Sequence, residues 1–229
     1  MCARYTLRAD AESIQRAFAL ASAENWAGPR YNIAPTQSVA VIANQQPKAL
    51  AKMKWGFVPA WAKDPKIGSR MVNARSETAH EKPAFRSAFR RRRCLIPADG
   101  YYEWMPQGGR KTPVYIQHAQ RDLFAFAGLW ERWQDARGNW LHSCAILTTA
   151  ANQRIRPIHQ RMAVILEPAD YALWLAPRGL TPSEWQPLMA GPRDEQLRYH
   201  EVSAHVNDAR KDHPALIAPA QSSQPRLLL

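Results

Sequence analysis

The 229-residue chain lacks any apolar run long enough to cross a bilayer, and neither internal repeats nor a Gly/Ser-rich linker divides it. A membrane-spanning helix needs about 20 apolar residues, and the Ala-rich segment after Asp10 is interrupted from Glu12 onward, which a secretory signal would not tolerate. With 46% hydrophobic residues, the chain can bury a large core. We expect one soluble, non-exported, non-membrane domain over residues 1–215, followed by a loose tail at 216–229, where periodicity is absent.

Cysteine is also scarce. The three cysteines, at positions 2, 94 and 144, are odd in number and form no CxxC pair, which argues against a disulfide framework and a structural zinc site. The histidines show no paired ligand spacing either. The sequence therefore implies no metal and no cofactor, and it favours a reducing cytosol.

Acidic residues are few in the first half of the chain. Residues 1–115 carry 19 Lys and Arg against 8 Asp and Glu, whereas the remainder carries 12 against 11, so the net charge of +12 belongs almost entirely to the first half. This asymmetry is expected of a face that attracts a polyanion, and nucleic acid is the commonest one in the cytosol. The alternative is an arginine-rich proteome, in which basic composition says nothing about partners.

Hydrophobic patterning predicts an α+β fold, a single mixed domain with a mainly antiparallel, barrel-like β-sheet and peripheral helices. Asp10 should cap a first helix whose apolar side chains recur at helical spacing as far as Ala21. Further helices are expected from Pro168 and from Ser183. Short strands are predicted over residues 3–7, 39–42, 50–55, 94–96, 114–117, 123–129, 143–149 and 162–166.

Cys2 directly follows the initiator methionine. Small residues at position two normally permit removal of that methionine, which would leave a cysteine carrying both a free α-amine and a thiol. Reference pKa values of such groups are about 7.7 to 8.0 and about 8.5, so modest shifts would make both nucleophilic near neutral pH. A 1,2-aminothiol condenses with an aldehyde and closes to a thiazolidine ring. The alternative is an incidental cysteine, because thiol reactivity needs a supporting site.

Glu103 lies between two aromatic residues in ADGYYEW, where Asp99 and Gly100 give a turn signal. An aromatic, partly desolvated setting raises the pKa of a carboxyl group and suits acid–base chemistry. The pattern alone nevertheless favours an edge-strand glutamate that faces solvent.

Asn73 and Arg75 lie in the segment NARSET at 73–78. Asn73 offers a donor and an acceptor that can orient a reacting group, and a turn or a helix cap is the alternative role. Arg75 is a candidate phosphate ligand.

His159 and Arg161 immediately precede a strongly apolar predicted strand. Side chains at the mouth of a strand are held and yet accessible, and neutral histidine shuttles protons near pH 7. A lone histidine at such a position is more often structural.

Aromatic and basic residues alternate around Trp61 in WGFVPAWAKDP at 55–65. Bases stack on such rings while lysines follow the backbone, an arrangement typical of single-stranded nucleic-acid binding. The arginine run at 90–93 is interpreted either as a phosphate ligand or as a solvated face.

Several short segments occur in one order along the chain and together resemble the SRAP family, the SOS-response-associated peptidases that shield abasic sites in single-stranded DNA. They are MCARY, RYNIAP, WGFVPAW, NARSET, ADGYYEW and IHQRM, with EVSAHVN as a closing segment. Each is weak alone, but the ordered set is highly specific. The resemblance implies a single mixed α/β domain whose mature N-terminal cysteine captures the ring-opened aldehyde of an abasic deoxyribose as a thiazolidine DNA–protein crosslink.

The resemblance also implies catalytic roles. Cys2 would be the nucleophile, and Asn73 would help to place its amine. Glu103 would support proton transfers of the amine and the sugar, while His159 would assist ring opening or later steps. Family members are further linked to removal of their own initiator methionine and to β-elimination at abasic sites.

The implied partner is single-stranded DNA with abasic sites, bound by a monomer in the cytoplasm in association with the nucleoid. The resemblance implies phosphate contacts for Arg4, Arg75 and Arg161 and an aromatic contact in the DNA-binding cleft for Trp61.

Two positions depart from the family pattern. Ala3 stands where glycine is common, so a methyl group crowds the nucleophile, and Ala163 stands where proline usually follows the histidine motif. We expect slower reaction rather than loss.

Two other functions compete with this one. An N-terminal-nucleophile cysteine amidohydrolase also exposes a cysteine behind the initiator methionine, but its glutamine-pocket patterns are missing and its substrate does not explain the basic first half. A non-covalent nucleic-acid binder, in which Cys2 is incidental, is the third hypothesis.

Overall fold

The computed structural model describes residues 3–220. Within this range the chain forms 13 strands and five short α-helices, which confirms the predicted α+β class. The strands are β1 Tyr5–Leu7, β2 Arg30–Ile33, β3 Ser38–Ala43, β4 Ala51–Trp55, β5 Asn73–Arg75, β6 Arg93–Ala98, β7 Gly100–Gln107, β8 Arg110–His118, β9 Phe124–Gln134, β10 Trp140–Ala150, β11 Arg161–Ala163, β12 Ile165–Leu166 and β13 Leu197–Glu201. The helices are α1 Ala11–Ala17, α2 Ser76–Ala79, α3 Arg86–Arg91, α4 Tyr171–Trp174 and α5 Pro182–Leu188.

Five of these strands close into a barrel. Strand β3 pairs with β4 and β6, β6 pairs with β9, β9 pairs with β10, and β10 returns to β4. The β4–β10 contact is parallel and the other four are antiparallel, as predicted for a mainly antiparallel, barrel-like sheet. Short strands extend the barrel, since β5 and β11 pair with β10 and β12 pairs with β9.

A second, antiparallel sheet of five strands lies beside the barrel in the order β13, β8, β7, β1, β2. Aromatic packing joins the two sheets. The ring of Phe126, from the barrel, meets Tyr5 and Tyr101, from the second sheet, edge-on at centroid distances of 5.8 Å each. Such pairs add roughly 0.5–1.5 kcal/mol each beyond their buried area, so the N-terminal strand is held firmly against the core.

The chain passes from the barrel to the second sheet at Asp99, where the sequence signal predicts a turn. Asp99 is instead buried at a bend between β6 and β7. Its carboxylate accepts a hydrogen bond from the hydroxyl of Thr6 at 2.5 Å and forms an ion pair with Arg8 at 3.1 Å. A Cβ on Gly100 would lie 2.1 Å from the hydroxyl oxygen of Tyr115, so glycine is needed here for close packing rather than for a turn.

The first helix begins as predicted and ends earlier. The carboxylate of Asp10 accepts the N–H of Ser13 at 2.7 Å, which caps α1. The helix stops before Ala19, whose φ of 49° is left-handed, and the N–H of Ala21 donates to Lys48 O at 2.8 Å. Pairing with another segment therefore overrides the helical spacing.

No helix within residues 3–220 is long and apolar enough to cross a membrane. At the C-terminal end, Leu216 is fully buried and the N–H of Ala220 donates to Glu201 O at 2.8 Å. Residues 216–220 thus pack on the domain, although the sequence assigns them to a loose tail. The remainder of that tail lies outside the described residues.

Candidate functional site

The register of the N-terminal strand positions the start of the chain. In the antiparallel pair of β1 and β7, Tyr5 lies opposite Tyr101, and the N–H of Tyr102 donates to Arg4 O at 2.9 Å. The same register, continued by two pairs beyond Tyr5 and Tyr101, brings Ala3 opposite Glu103. Cys2, the predicted nucleophile, lies outside the described residues.

Glu103 is buried in the middle of the second sheet, because β7 is flanked by β1 and β8. Its exposed fraction is 3%, so the interpretation as a solvent-facing edge-strand glutamate is wrong. Burial raises the pKa of Glu103, opposed by the positive charge of Lys111 and by a hydrogen bond from the backbone of Trp104. A carboxyl group with a raised pKa exchanges protons more readily near neutral pH.

Asn73 and Arg75 lie on β5, which runs parallel to β10 with Asn73 beside Ile146 and Arg75 beside Thr148. Asn73 is therefore a strand residue rather than a turn or a helix cap. Because side chains alternate along a strand, Asn73 and Arg75 share one face while the buried Ala74 points to the other. Asn73 is half-buried and Arg75 is exposed.

His159 and Arg161 reach the same region from the other side of β10. Strand β11 pairs with β10 so that Arg161 lies opposite Ala150 and Ala163 lies opposite Thr148. Thr148 thus has Arg75 on one side and Ala163 on the other. Residues 73–75 and 159–161 are brought together although more than eighty positions separate them in sequence.

The ring of His159 is held by the backbone of Arg161. Nδ1 of His159 lies 2.9 Å from the backbone nitrogen of Arg161 and 3.2 Å from its carbonyl oxygen. Burial lowers the pKa of His159, and the positive charges of Lys111 and Arg161 lower it further. The positive charge of Lys111 lowers the pKa of both Glu103 and His159. One cation therefore influences both of these titratable groups.

Arg161 is held by an acidic residue that the sequence prediction missed. Its guanidinium donates to both carboxylate oxygens of Glu77, at 2.6 and 2.9 Å, and to Thr148 O at 2.6 Å. These hydrogen bonds lower the pKa of Glu77. Arg161 is therefore fixed in place before any ligand binds.

Arg4 is anchored in a similar way by the buried Asn32. Nη1 of Arg4 donates to Oδ1 of Asn32 at 2.8 Å and to Val206 O at 2.7 Å. The amide nitrogen of Asn32 donates in turn to Asp208 O and Lys211 O, at 3.1 and 2.7 Å. The segments RYNIAP and EVSAHVN thus meet at Arg4 and orient it.

Trp61 projects from the loop after β4 with 63% of its surface exposed. It lines a cleft of about 650 Å³ together with Lys63, Lys66 and Arg70. Nearby, the backbones of residues 56 and 68 approach closely, because a Cβ on Gly56 would lie only 2.7 Å from the carbonyl oxygen of Gly68. An exposed ring among cations suits a stacked base and its phosphates.

Comparison with known proteins places this arrangement in a family. The model described as "SOS response associated peptidase (SRAP)" matches residues 1–209. The chain belongs to the SRAP family.

Relatives of this SRAP protein include two named for abasic site processing. It is 40% identical over 221 residues to the abasic site processing protein YoqW of Bacillus subtilis, with 95% of this chain and 99% of YoqW covered. It is 31% identical over 223 residues to the abasic site processing protein HMCES of Xenopus tropicalis, with 83% and 66% covered. A solved structure from Bacteroides thetaiotaomicron shares the fold, with a TM-score of 0.86, 24% identity and coverage of 96% and 100%.

The candidate site residues within residues 3–220 come from both sheets. The second sheet contributes Arg4 and Glu103, and the extended barrel contributes Asn73, Arg75 and the loop that carries His159. Sequence analysis missed the supporting residues, which act through tertiary contacts. Two features of the sequence could have indicated these residues. Asn32 and Glu77 are polar residues inside the recognised segments, and Lys111 is a cation in the hairpin that follows ADGYYEW.

Proposed function

We propose that this SRAP protein is an abasic site processing protein that binds single-stranded DNA and captures the lesion covalently through Cys2. The observation that carries the proposal is the register of β1 on β7, in which Tyr5 lies opposite Tyr101. Continued by two pairs, this register brings Ala3, the neighbour of Cys2 in the chain, opposite the buried Glu103. The names of the relatives YoqW and HMCES support the same activity.

The capture reaction begins once the initiator methionine has been removed. The α-amine of Cys2 adds to the aldehyde carbon of the ring-opened deoxyribose, and loss of one water gives an imine. The thiol sulfur then adds to the imine carbon, and the thiol proton moves to the nitrogen. The product is a thiazolidine, and its mass is that of protein plus DNA minus one water.

Glu103 and His159 carry the proton transfers in this proposal, and Asn73 orients the amine. The raised pKa of Glu103 allows its carboxyl group to receive and return a proton around neutral pH. The lowered pKa of His159 keeps its ring neutral, and a neutral imidazole can exchange a proton with the sugar during ring opening.

DNA is bound by the basic and aromatic groups around this site. Arg75 is exposed and has a guanidinium free to approach a phosphate, while Arg4 and Arg161 are oriented by Asn32 and Glu77. Trp61 supplies a ring on which a base stacks. We infer that the SRAP domain over residues 1–215 acts as a monomer on single strands in the cytoplasm, in association with the nucleoid.

Intact mass spectrometry tests this proposal directly. Purified protein is measured before and after it is mixed with single-stranded DNA that contains one abasic site. A methionine-free protein that gains the DNA mass minus water at its N-terminal peptide supports the proposal, and Cys2→Ala should abolish the gain. Removal of its own methionine and strand cleavage by β-elimination are read from the same spectra.

The two competing functions predict different outcomes. Glutamine hydrolysis without any DNA adduct would establish the amidohydrolase instead. Retention of DNA that is equal in wild type and in Cys2→Ala, and that is lost in boiling detergent, would establish a non-covalent binder.

A further inference from the structure

A second basic cleft follows α2 on the surface of the protein. It has a volume of about 410 Å³ and is lined by His80, Arg86, Ser87, Arg90 and Arg91. All three arginines are exposed. Among residues 3–220, no carboxylate forms an ion pair with any of them. The acidic neighbour of the cleft is Glu81, which lies 3.3 Å from His80.

The next two arginines have structural roles. Arg92 forms an ion pair with Glu131 at 2.7 Å. Arg93 is fully buried and donates to five backbone carbonyls, which belong to Phe89, Arg90, Trp174, Ala176 and Arg178. Burial lowers the pKa of Arg93 to about 10, so the side chain remains cationic at neutral pH. Arg93 therefore fits neither sequence interpretation, since it is neither a phosphate ligand nor part of a solvated face.

These two residues give the cleft a fixed shape. By holding the carbonyls at the end of α3, Arg93 fixes the backbone from which Arg90 and Arg91 project. The hydroxyl oxygen of Ser87 accepts a hydrogen bond from Nη2 of Arg92 at 3.0 Å. The hydroxyl proton of Ser87 can therefore be donated into the cleft. The ring of His80 packs against Trp185 at a centroid distance of 4.9 Å and forms a rigid wall.

We propose that this cleft binds backbone phosphates of the single DNA strand on one side of the lesion. Guanidinium groups present planar pairs of donors that match phosphate oxygens, and the three in this cleft form no ion pair with a carboxylate of residues 3–220. The inference rests on the proposed function, because it takes the strand at Arg75 as its starting point.

The position of the cleft in the chain fits such a path. His80 follows Arg75 by five positions, and the four residues between them form α2. At a rise of about 1.5 Å per residue, these five steps span roughly 8 Å. At a rise of about 3.4 Å per stacked nucleotide, about two to three nucleotides cover that distance. A strand that meets Arg75 therefore reaches the cleft without bridging a large gap.

Fluorescence anisotropy with labelled single strands of 4 and 20 nucleotides, with and without an abasic site, tests the cleft. The variant is Arg86→Gln/Arg90→Gln/Arg91→Gln, whose melting is first checked by circular dichroism. For the 20-mer, the slope of log affinity against log salt should become shallower by about 2, because each phosphate contact on a single strand contributes about 0.7 and three contacts are removed. Affinity for the 20-mer should fall about tenfold, whereas the 4-mer, which can place fewer phosphates in the cleft, should lose less affinity and should crosslink as it does to wild type.

The control is a triple glutamine variant at exposed arginines outside the cleft, namely Arg132, Arg137 and Arg198. It removes the same charge, so an equal loss of slope would show a general field effect and overturn the proposal. A loss of affinity for a 20-nucleotide RNA without loss for DNA would overturn it too. If wild type crosslinks no abasic strand, the proposed function fails, but the undamaged 20-mer still reports on the cleft.

Discussion

The carboxylate of Glu77 holds the guanidinium of Arg161 in a two-point ion pair, with oxygen–nitrogen distances of 2.6 and 2.9 Å. The two residues come from α2 and β11, which lie on opposite sides of β10. This pair links the segment that carries Asn73 to the loop that carries His159. A phosphate that binds at Arg161 must therefore share the guanidinium with an existing carboxylate.

Replacing Glu77 by Gln should strengthen non-covalent binding of single-stranded DNA. The change removes a negative charge beside the proposed phosphate path and leaves an amide oxygen to hold Arg161. We expect the Kd to fall about threefold at low salt, a size typical of partly exposed charge interactions. Anisotropy with an undamaged strand measures the effect. A rise in Kd would mean that the ion pair with Glu77, which orients Arg161, contributes more to binding than the repulsion between Glu77 and the DNA phosphates costs.

Glu103→Gln should slow crosslinking and leave binding of undamaged DNA nearly unchanged. The amide keeps the shape of the carboxyl group but cannot exchange a proton, and such catalysis typically contributes 10²- to 10⁴-fold. Single-turnover crosslinking rates measure the loss, with His159→Ala as a companion that should also slow the reaction or the processing of the adduct. A crosslinking rate equal to that of wild type would remove Glu103 from the chemistry.

The same substitution should stabilise the protein near neutral pH. Because burial raises the pKa of Glu103, ionising it in the folded state is unfavourable. This destabilisation is absent below the unfolded pKa of about 4.3, grows as pH rises toward the folded pKa, and is complete above it. Glu103→Gln removes it, so the variant should be more stable than wild type at pH 7.5. Urea unfolding at pH 7.5 and pH 4 should show the gain shrinking at the lower pH.

Arg75→Ala should weaken DNA binding and reduce its salt dependence. Arg75 is exposed on β5 beside the site, and loss of one phosphate contact should lower the salt slope by about 0.7 for a single strand. Titrations between 50 and about 200 mM salt measure the slope, and Arg137→Ala, at an exposed arginine distant in sequence, is the control. An unchanged slope would take the phosphate role away from Arg75.

Gly100→Ala should destabilise the fold strongly. The added methyl group would lie 2.1 Å from the hydroxyl oxygen of Tyr115, inside a buried network that includes Thr6 and Asp99. Overpacking of this kind costs about 1–3 kcal/mol or more, and urea unfolding measures it. Gly179→Ala is the matched control, because nothing lies within 4 Å of the added group, and it should be nearly neutral.

The barrel could be predicted from sequence because its strands carry long apolar runs. The first eight residues of β9 are all buried, and a strand covered on both faces reads as a continuous hydrophobic segment. Strand β5 could not be predicted in this way. It has three residues, Asn73–Arg75, and exists because β10 supplies a parallel partner more than seventy positions away.

At the candidate site, candidate residues could be proposed from sequence, but the residues that hold them in place could not. The Asp99–Gly100 pair is a strong turn signal, yet burial of Asp99 against Thr6 and Arg8 draws the chain into a second sheet. That same crossing buries Glu103, which the local pattern places in solvent. Tertiary packing thus decided both the course of the chain and the pKa of the carboxyl group.

Ala3→Gly should accelerate crosslinking. Ala3 is half-buried and lies opposite Glu103 in the register of β1 and β7, next to the proposed nucleophile. Removing its methyl group widens the approach of the abasic sugar, and we expect a rate about two- to tenfold higher with little change in affinity, because glycine mainly relaxes the backbone. Ala3→Val extends the series in the other direction. Crosslinking rates that decrease in the order Gly, Ala, Val would establish crowding at this position as the limit, whereas equal rates would place the limit in proton transfer at Glu103 or His159.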